Sequence, residues 1–342
     1  MSNPPDLEAS GDREILVAGL GSVGRRHVRN LRTLGWTRFV LVRSGKGPSS
    51  SPEFDDMPAE TDLAAALSRR PVAAIVSNPT ALRLEVAGPA AEAGCHLFLE
   101  KPVSHTPDGL VELERVAKEN GLKVLVGFQF RFHPGLKDVK RLLDASAIGR
   151  VVSAHVRWGE YLPNWHPGED FRRGYSARSD LGGGVLLTLC HPFDYLTWLL
   201  GPVQTVMCIV GSRGFDLGVE DTAHALLTFD SGVTGTVHLD YVQRPPCHDL
   251  KVVGSDGTLT WDNSDGAVRI WREDSTTWDV IPVPAGFERN TMFLDEMRHF
   301  LACMEGMEEP EVTLADGSRA LGIALALKES ARTNQAVRIS EV

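Results

Sequence analysis

Gly19-Leu20-Gly21-Ser22-Val23-Gly24 follows the apolar run Ile15–Ala18 and opens an amphipathic stretch near Val23–Leu34. No other segment narrows the choice of fold as much. Gly19 permits a tight turn, and Gly21 lets the backbone approach a pyrophosphate. Gly24 lets helix and strand pack closely, while the helix N-terminus offers free N–H donors to the anion. The spacing alone is a weak signal, and a turn that is merely glycine-rich is the alternative. The strand–turn–helix context points to a dinucleotide-binding loop.

The pattern continues to residue 127. Strand-like runs at Phe39–Val42, Val72–Val76, His96–Leu99 and Val124–Val126 alternate with helical stretches near Thr61–Arg69, Ala81–Ala93 and Pro107–Asn120. Thr106 before Pro107 suits a helix start, and Gly35, Gly94 and Gly121 each follow a helical stretch. Such alternation implies a parallel sheet with helices on both faces. Beyond Gly127 the rhythm changes. Helical stretches at Leu136–Ala145 and up to Trp198 flank a strand at Val151–Trp158. Then strand-like runs follow one another: Thr205–Val210, Thr222–Phe229, Thr234–Val242, Leu250–Val253, Thr258–Trp261 and Val268–Trp271. Helical stretches near Thr291–Met304 and Ala315–Thr333 close the chain. The expected class is α/β, with an N-terminal Rossmann doubly wound parallel sheet over residues 1–127. A C-terminal α/β domain over residues 128–342, for substrate and oligomerisation, carries a large open, mostly antiparallel sheet.

Composition agrees with two globular domains: 342 residues, 42% hydrophobic and 23% charged. A net charge of −10 argues against nucleic acid and anionic membrane as partners. The polar start is no signal peptide. The most apolar long segment, Val185 to Leu200, is interrupted by His191, Pro192 and Asp194, so no membrane span is expected. Cysteines 95, 190, 208, 247 and 303 are odd in number and widely spaced. They suit a reduced, cytoplasmic chain without a metal site.

The end of the second strand bears on the cofactor. A carboxylate about 20 residues past the glycine motif would bind the ribose 2′-hydroxyl of NAD. Arg43 and Ser44 stand there instead, with Lys46 close by and no carboxylate before Glu53. A guanidinium and a hydroxyl suit a 2′-phosphate, so NADP is the expected cofactor and NAD the alternative. Arg43 would then be a solvated residue stacking on adenine.

Two further clusters carry chemistry. Glu100-Lys101-Pro102 ends the fourth strand, at the sheet edge where ligands bind. Pro102 disfavours helix at Lys101. The other cluster is Gly182-Gly183-Gly184-Val185-Leu186-Leu187-Thr188-Leu189-Cys190-His191-Pro192-Phe193-Asp194, in which Pro192 predicts a kink or restart near His191. Lys101 as a surface lysine and His191 as a helix residue satisfied by a carbonyl are the bland readings. Asp194 reads as structural and Cys190 as a small packed side chain.

With the glycine motif, Ser77-Asn78-Pro79-Thr80, Glu100-Lys101-Pro102, the 127–134 run GFQFRFHP and the glycine-rich approach to His191, the chain resembles the glucose–fructose oxidoreductase/inositol dehydrogenase (Gfo/Idh/MocA) family. The resemblance runs from about Arg13 to Trp261. It implies a Rossmann domain, then an α/β domain whose open sheet commonly forms a dimer face, and sugar, polyol or cyclic alcohol substrates. Lys101 matches the lysine that touches the reacting hydroxyl, and His191 the proton-transferring histidine. Gln129 and Arg131 fall where cofactor and substrate meet, and Asn78, Pro79 and Thr80 along the cofactor. Thr188 stands where many members have aspartate, and Arg83 where histidine is common.

The expected cofactor set is Gly19, Gly21, Ser22, Val23, Gly24, Arg43, Ser44, Asn78, Pro79, Thr80, Glu100, Lys101 and Gln129. The loop Tyr161–Tyr175 is rich in aromatic and charged residues. Such groups fit a polyhydroxylated ring or, equally, a dimer contact. Trp165, His166 and Tyr175 join Arg131, Thr188, Lys101 and His191 as substrate candidates. The expectation is an NADP(H)- or NAD(H)-dependent dehydrogenase of a sugar-like alcohol or ketone, acting as a homodimer or homotetramer. A glycosidase using transient redox of a bound dinucleotide and a non-catalytic dinucleotide sensor are the alternatives.

Overall fold

The computed structural model describes residues 11–43, 52–54 and 57–339. They form two compact units. One holds the described residues up to Gly127 together with Arg289–Gly317, and the other holds Phe128–Glu288 and the described residues from Ser318 onward. The tail segment 289–317 thus belongs with the first unit, whereas residues 128–342 were expected to form one domain.

The first unit runs β1 (Ile15–Ala18), α1 (Ser22–Thr33), β2 (Phe39–Val42), β3 (Ala59–Glu60), α2 (Leu63–Ser68), β4 (Ala73–Val76), α3 (Arg83–Glu92), β5 (His96–Glu100), α4 (Leu110–Glu119) and β6 (Val124–Gly127). The strands pair in the order β3-β2-β1-β4-β5-β6, every neighbour parallel. β1 and β4 are fully buried, which their unbroken apolar sequences require of strands covered on both faces. Strand order reverses between β1 and β4, and a ligand crevice opens outside the strand C-termini at such a switch point. Because the strands are parallel, Ala18, Val42, Val76 and Glu100 all end at that one edge. Helix α4 begins later than Thr106-Pro107 suggested. Leu110 N–H bonds back to the Pro107 carbonyl, and Gly109 at φ +81° precedes the first helical residue, so residues 107–109 close a turn instead.

The second unit continues with α5 (Pro134–Asp144), β7 (Val151–Tyr161), α6 (Val185–Thr188), α7 (His191–Leu200), β8 (Val203–Gly211), β9 (Thr222–Phe229), β10 (Thr234–Asp240), β11 (Val242–Gly254), β12 (Gly257–Asp262), β13 (Val268–Arg272) and β14 (Asp279–Ile281). Helices α8 (Arg289–Met304) and α9 (Leu314–Thr333) and strand β15 (Val337–Arg338) follow. Nine strands pair in the order β14-β13-β12-β11-β7-β10-β9-β8-β15. All these pairs are antiparallel except β7–β10. The expected strand Thr234–Val242 breaks at Tyr241, where the chain leaves β10 and enters β11 on the far side of β7. One sheet face is packed, with Val206, Cys208, Ala225, Leu227, Val237 and Leu239 buried. Met207, Ile209, Leu226 and His224 point the other way and are exposed. Helix α8 joins the first unit, with Phe300 edge-on to Phe98 and Phe293 under the Arg26 guanidinium. Among the described residues no helix is long and apolar enough to cross a membrane.

Candidate active site

At the switch point the glycine loop is held from below. Ser77 donates its hydroxyl to the carbonyls of Ala18 and Gly19, at 3.0 and 2.8 Å, and its N–H to Ala18. Gly19 has φ +90°, and a Cβ there would press into the Asn78 backbone at 2.7 Å. A Cβ on Gly24 would strike the Gly19 carbonyl and lie 2.6 Å from the Ser77 hydroxyl. These two positions therefore need glycine for the chain's own packing. Gly21 does not: a Cβ there would meet nothing within 4 Å. Its bare backbone leaves room for a ligand to approach closely. Gly21 caps α1, whose first turn, from Ser22 and Val23, carries no acidic side chain, so the positive end of the helix faces that opening uncompensated.

At the end of β4, Pro79 precedes a single 3-10 turn, Thr80–Leu82. Asn78 donates its amide to the Leu82 carbonyl at 2.8 Å. The Asn78 Oδ1 and Thr80 Oγ1 atoms are buried without a partner in the chain. Unmet polar atoms beside an open glycine loop fit a dinucleotide that completes their hydrogen bonds. Arg43 leaves the end of β2 half-buried, its N–H on the Glu60 carbonyl; Ser44 and Lys46 lie outside the described residues.

Glu100 has a partner that sequence reading missed. His27, fully buried on α1, meets Glu100 Oε1 through Nε2 at 2.7 Å. Burial alone would raise the Glu100 carboxyl. The His27 hydrogen bond, with the charges of His27, Arg83 and Lys101, outweighs it and holds the group below the usual carboxylate range. The second oxygen, Oε2, accepts the Lys101 N–H at 3.2 Å. Arg83, also buried, donates to the Pro102 carbonyl, across a cis Lys101–Pro102 peptide. Lys101 thus stands on a turn gripped from both sides.

In the second unit, α6 ends at Thr188 and α7 begins at His191. The restart near His191 is present, and Pro192 falls in the first turn of α7, where its missing N–H costs nothing. His191 is buried among Phe128, Phe130 and Trp158, with ring centroids 5.0–5.5 Å away. Behind them, burial pushes His248 down to about 3 and His133 to about 4, so both are neutral parts of an aromatic wall. The Tyr241 hydroxyl donates to the Ser176 carbonyl at 3.4 Å, with Thr188 close by. Tyr241 is wholly buried, and burial, only partly offset by Thr188, keeps its phenol protonated. Trp165 packs edge-on to Tyr241 at 5.8 Å, its Nε1 buried without a partner. Tyr241 is the second group missed by sequence reading, hidden inside what looked like an uninterrupted strand.

Gln129 and Arg131 lie on a buried 3-10 turn, Gln129–Phe132. Arg131 grips Asp194 of α7 through two hydrogen bonds, 2.6 and 3.0 Å, and lies over the Trp198 ring. That gives Asp194 the structural part expected of it. His166 and Tyr175 are half-buried in the 161–175 loop. The backbone of Tyr175 and Ser176 presses against Gly183. Cys190 is buried. Among the described residues no three His, Cys, Asp or Glu side chains gather as metal ligands.

Residues 13–128 match the family described as "Oxidoreductase family, NAD-binding Rossmann fold", and residues 136–260 match the "GFO/IDH/MocA C-terminal domain". The chain belongs to the Gfo/Idh/MocA oxidoreductase family. It is accordingly an NAD-binding oxidoreductase. Its similarity to scyllo-inositol 2-dehydrogenase (NAD(+)) of Bacillus subtilis is 27% identity over 341 residues, 94% of this chain and 95% of the relative. Myo-inositol 2-dehydrogenase of Thermotoga maritima is 24% identical over 343 residues, 95% and 98%. The match to the uncharacterized oxidoreductase sll0816 of Synechocystis, 29% identical over 201 residues, spans just over half of that protein, 53%. A solved levoglucosan dehydrogenase in complex with NADH superposes with a TM-score of 0.85 at 18% identity, over 96% of this chain and 100% of that one. At that identity it shows the shared Gfo/Idh/MocA fold.

Proposed function

We propose that this Gfo/Idh/MocA protein transfers a hydride between a nicotinamide dinucleotide and the carbinol carbon of a sugar, polyol or related cyclic alcohol. The observation that carries the reading is the grip on Lys101. A turn held by a buried Glu100–His27 pair and by Arg83, at the ligand edge of the Rossmann sheet, supports a working role for Lys101 over that of a surface lysine. Relatives named as inositol dehydrogenases, matched along nearly their whole length, and a partial match named D-xylose dehydrogenase support the substrate class.

The bound nicotinamide would accept or return the hydride. The chain's own residues handle the proton and the charge. The Lys101 ammonium stabilises the developing alkoxide and polarises the carbonyl in the reverse direction. His191 takes or returns the hydroxyl proton at a ring nitrogen, and the aromatic rings packed around it shield that step from water. Glu100 and His27 hold the Lys101 backbone. Gly21, the first turn of α1, Asn78, Thr80 and Gln129 would hold the dinucleotide, with Arg43 and Ser44 favouring NADP over NAD. Trp165, His166, Tyr175, Thr188 and Arg131 are assigned to the substrate side.

Lys101→Ala and His191→Ala should each lower turnover by about 10²–10⁴-fold while leaving cofactor affinity within a few-fold. Near-full turnover in His191→Ala would move the base elsewhere. A second reading, chemistry without net cofactor change, is favoured by two relatives named 2,7-anhydro-N-acetylneuraminate hydratase, 27% and 26% identical, since adding water needs no net oxidation. The five unbridged cysteines fit a reducing, cytoplasmic setting, and the exposed outer sheet face fits a homodimer or a dimer of dimers.

A further inference from the structure

The wall behind His191 holds a polar group that hydride and proton transfer leave unused. His248 on β11 stands directly opposite Trp158 on β7 in the strand register. The two rings stack with centroids 4.3 Å apart and planes within 5° of parallel. Trp158 in turn lies 5.5 Å from the His191 ring. Its Nε1 donates to Glu160 at 2.9 Å, so the indole is held both by its face and by its edge.

Lining such a wall with a buried imidazole costs more than lining it with a phenyl ring, whose atoms need no hydrogen bond. His248 has one hydrogen-bond partner among the described residues. That partner is the hydroxyl of Tyr195, 3.2 Å from His248 Nε2, while Nδ1 has none. Tyr195 is wholly buried on α7. It lies one helical turn beyond His191, on the same face of the helix. The contacts close a circuit. His191 leads to Tyr195 through the helix, Tyr195 to His248 through the hydroxyl, His248 to Trp158 by stacking, and Trp158 back to His191. Phe130 braces it, edge-on to His191 at 5.0 Å and to His248 at 4.8 Å. Every member belongs to the second unit.

Such a circuit leaves α7 little freedom to turn about its axis. An imidazole that must meet a hydroxyl proton tolerates displacement poorly, since a shift of about 1 Å can cost about 10²-fold in rate. We propose that Tyr195 and His248 are positioning residues for the proton step, their hydrogen bond fixing where α7 presents the His191 ring. The inference rests on the assignment of that step to His191. Tyr195 and His248 act through His191 and carry no proton to or from the substrate.

The test removes one hydroxyl. Tyr195→Phe keeps the buried ring and deletes the bond to His248. Turnover should fall about 10-fold or more, with KM for the sugar or polyol and cofactor affinity little changed. His248→Phe keeps a ring against Trp158 and removes the same bond. It should lose as much, and the double variant no more than either single one. The ring-proton NMR shifts of His191, set by the aromatic rings around it, should move in Tyr195→Phe, a readout that needs no turnover. Unmoved His191 resonances in that variant overturn the proposal, as does a lower melting temperature with turnover unchanged. Near-full turnover in His191→Ala would instead overturn the assignment of the proton step, and the His191 resonances would still report whether the tie holds.

Discussion

Arg43 leaves the ligand edge of the Rossmann sheet where a cofactor's adenosine ribose would lie. A guanidinium there pairs with a 2′-phosphate through charge-assisted hydrogen bonds worth roughly 1.5–3 kcal/mol. NADP(H) should therefore bind more tightly than NAD(H). Arg43→Asp should cost NADP(H) about 10–100-fold in affinity and reverse the preference. Fluorescence titration of both cofactors measures this, and equal or tighter NAD(H) binding in the unmodified protein overturns the assignment. At Thr188 the argument concerns charge. Thr188→Asp places an anion three residues before His191 and favours its protonated form. The His191 limb of the pH–rate profile should then move to higher pH by about one unit or more, whereas an unmoved limb would detach Thr188 from the proton step. The turn at Lys101 and the helix restart at His191 were legible from residue type and neighbours. Their supports were not, because Glu100 meets His27 across 73 positions, beyond any local pattern. One signal was available: His27 sits among Gly24, Val28 and Leu31 on the buried face of α1, where a titratable residue demands a partner.

Helix α1 and strand β5 are tied by that His27–Glu100 contact, and removing one partner strands a buried charge. His27→Ala should lower the unfolding free energy by about 3–5 kcal/mol, read from denaturant melts; an unchanged midpoint would make the contact incidental. The sign with pH follows from Glu100. Its folded carboxyl lies below the unfolded value of about 4.3. Its contribution is fully present above that pH and is lost as pH falls through the folded value. Strands β1, β4 and β9 were readable to within a residue, because Val, Ile, Leu and Ala runs or strict alternation announce them. Strands β3, β14 and β15, of two or three residues, are too short to show a period. The start of α4 was misplaced because Gly109, not Thr106, precedes its first turn.

The proposed assembly rests on the outer sheet face, where Met207, Ile209 and Leu226 are 41%, 66% and 55% exposed. Apolar side chains ranged along one uncovered face mark an interaction surface, and a two-fold pairing buries it against itself. Light scattering at micromolar concentration should report a dimer or tetramer, and Ile209→Asp with Leu226→Asp should yield monomers. A monomeric unmodified protein would contradict the pairing. The return of α8 to the first unit was not legible in chain order, since the partners of its Phe293 and Phe300 lie on α1 and β5, far earlier in the chain. The central claim, reversible hydride transfer between a nicotinamide and the carbinol carbon of a sugar-like alcohol, is tested most directly by following reduced-nicotinamide absorbance. The purified protein is mixed with NADP or NAD and a panel of inositols, aldoses and uronic acids. The account predicts net cofactor reduction with at least one polyol or sugar, abolished in His191→Ala and Lys101→Ala. Substrate consumption with no net change in that absorbance would contradict it.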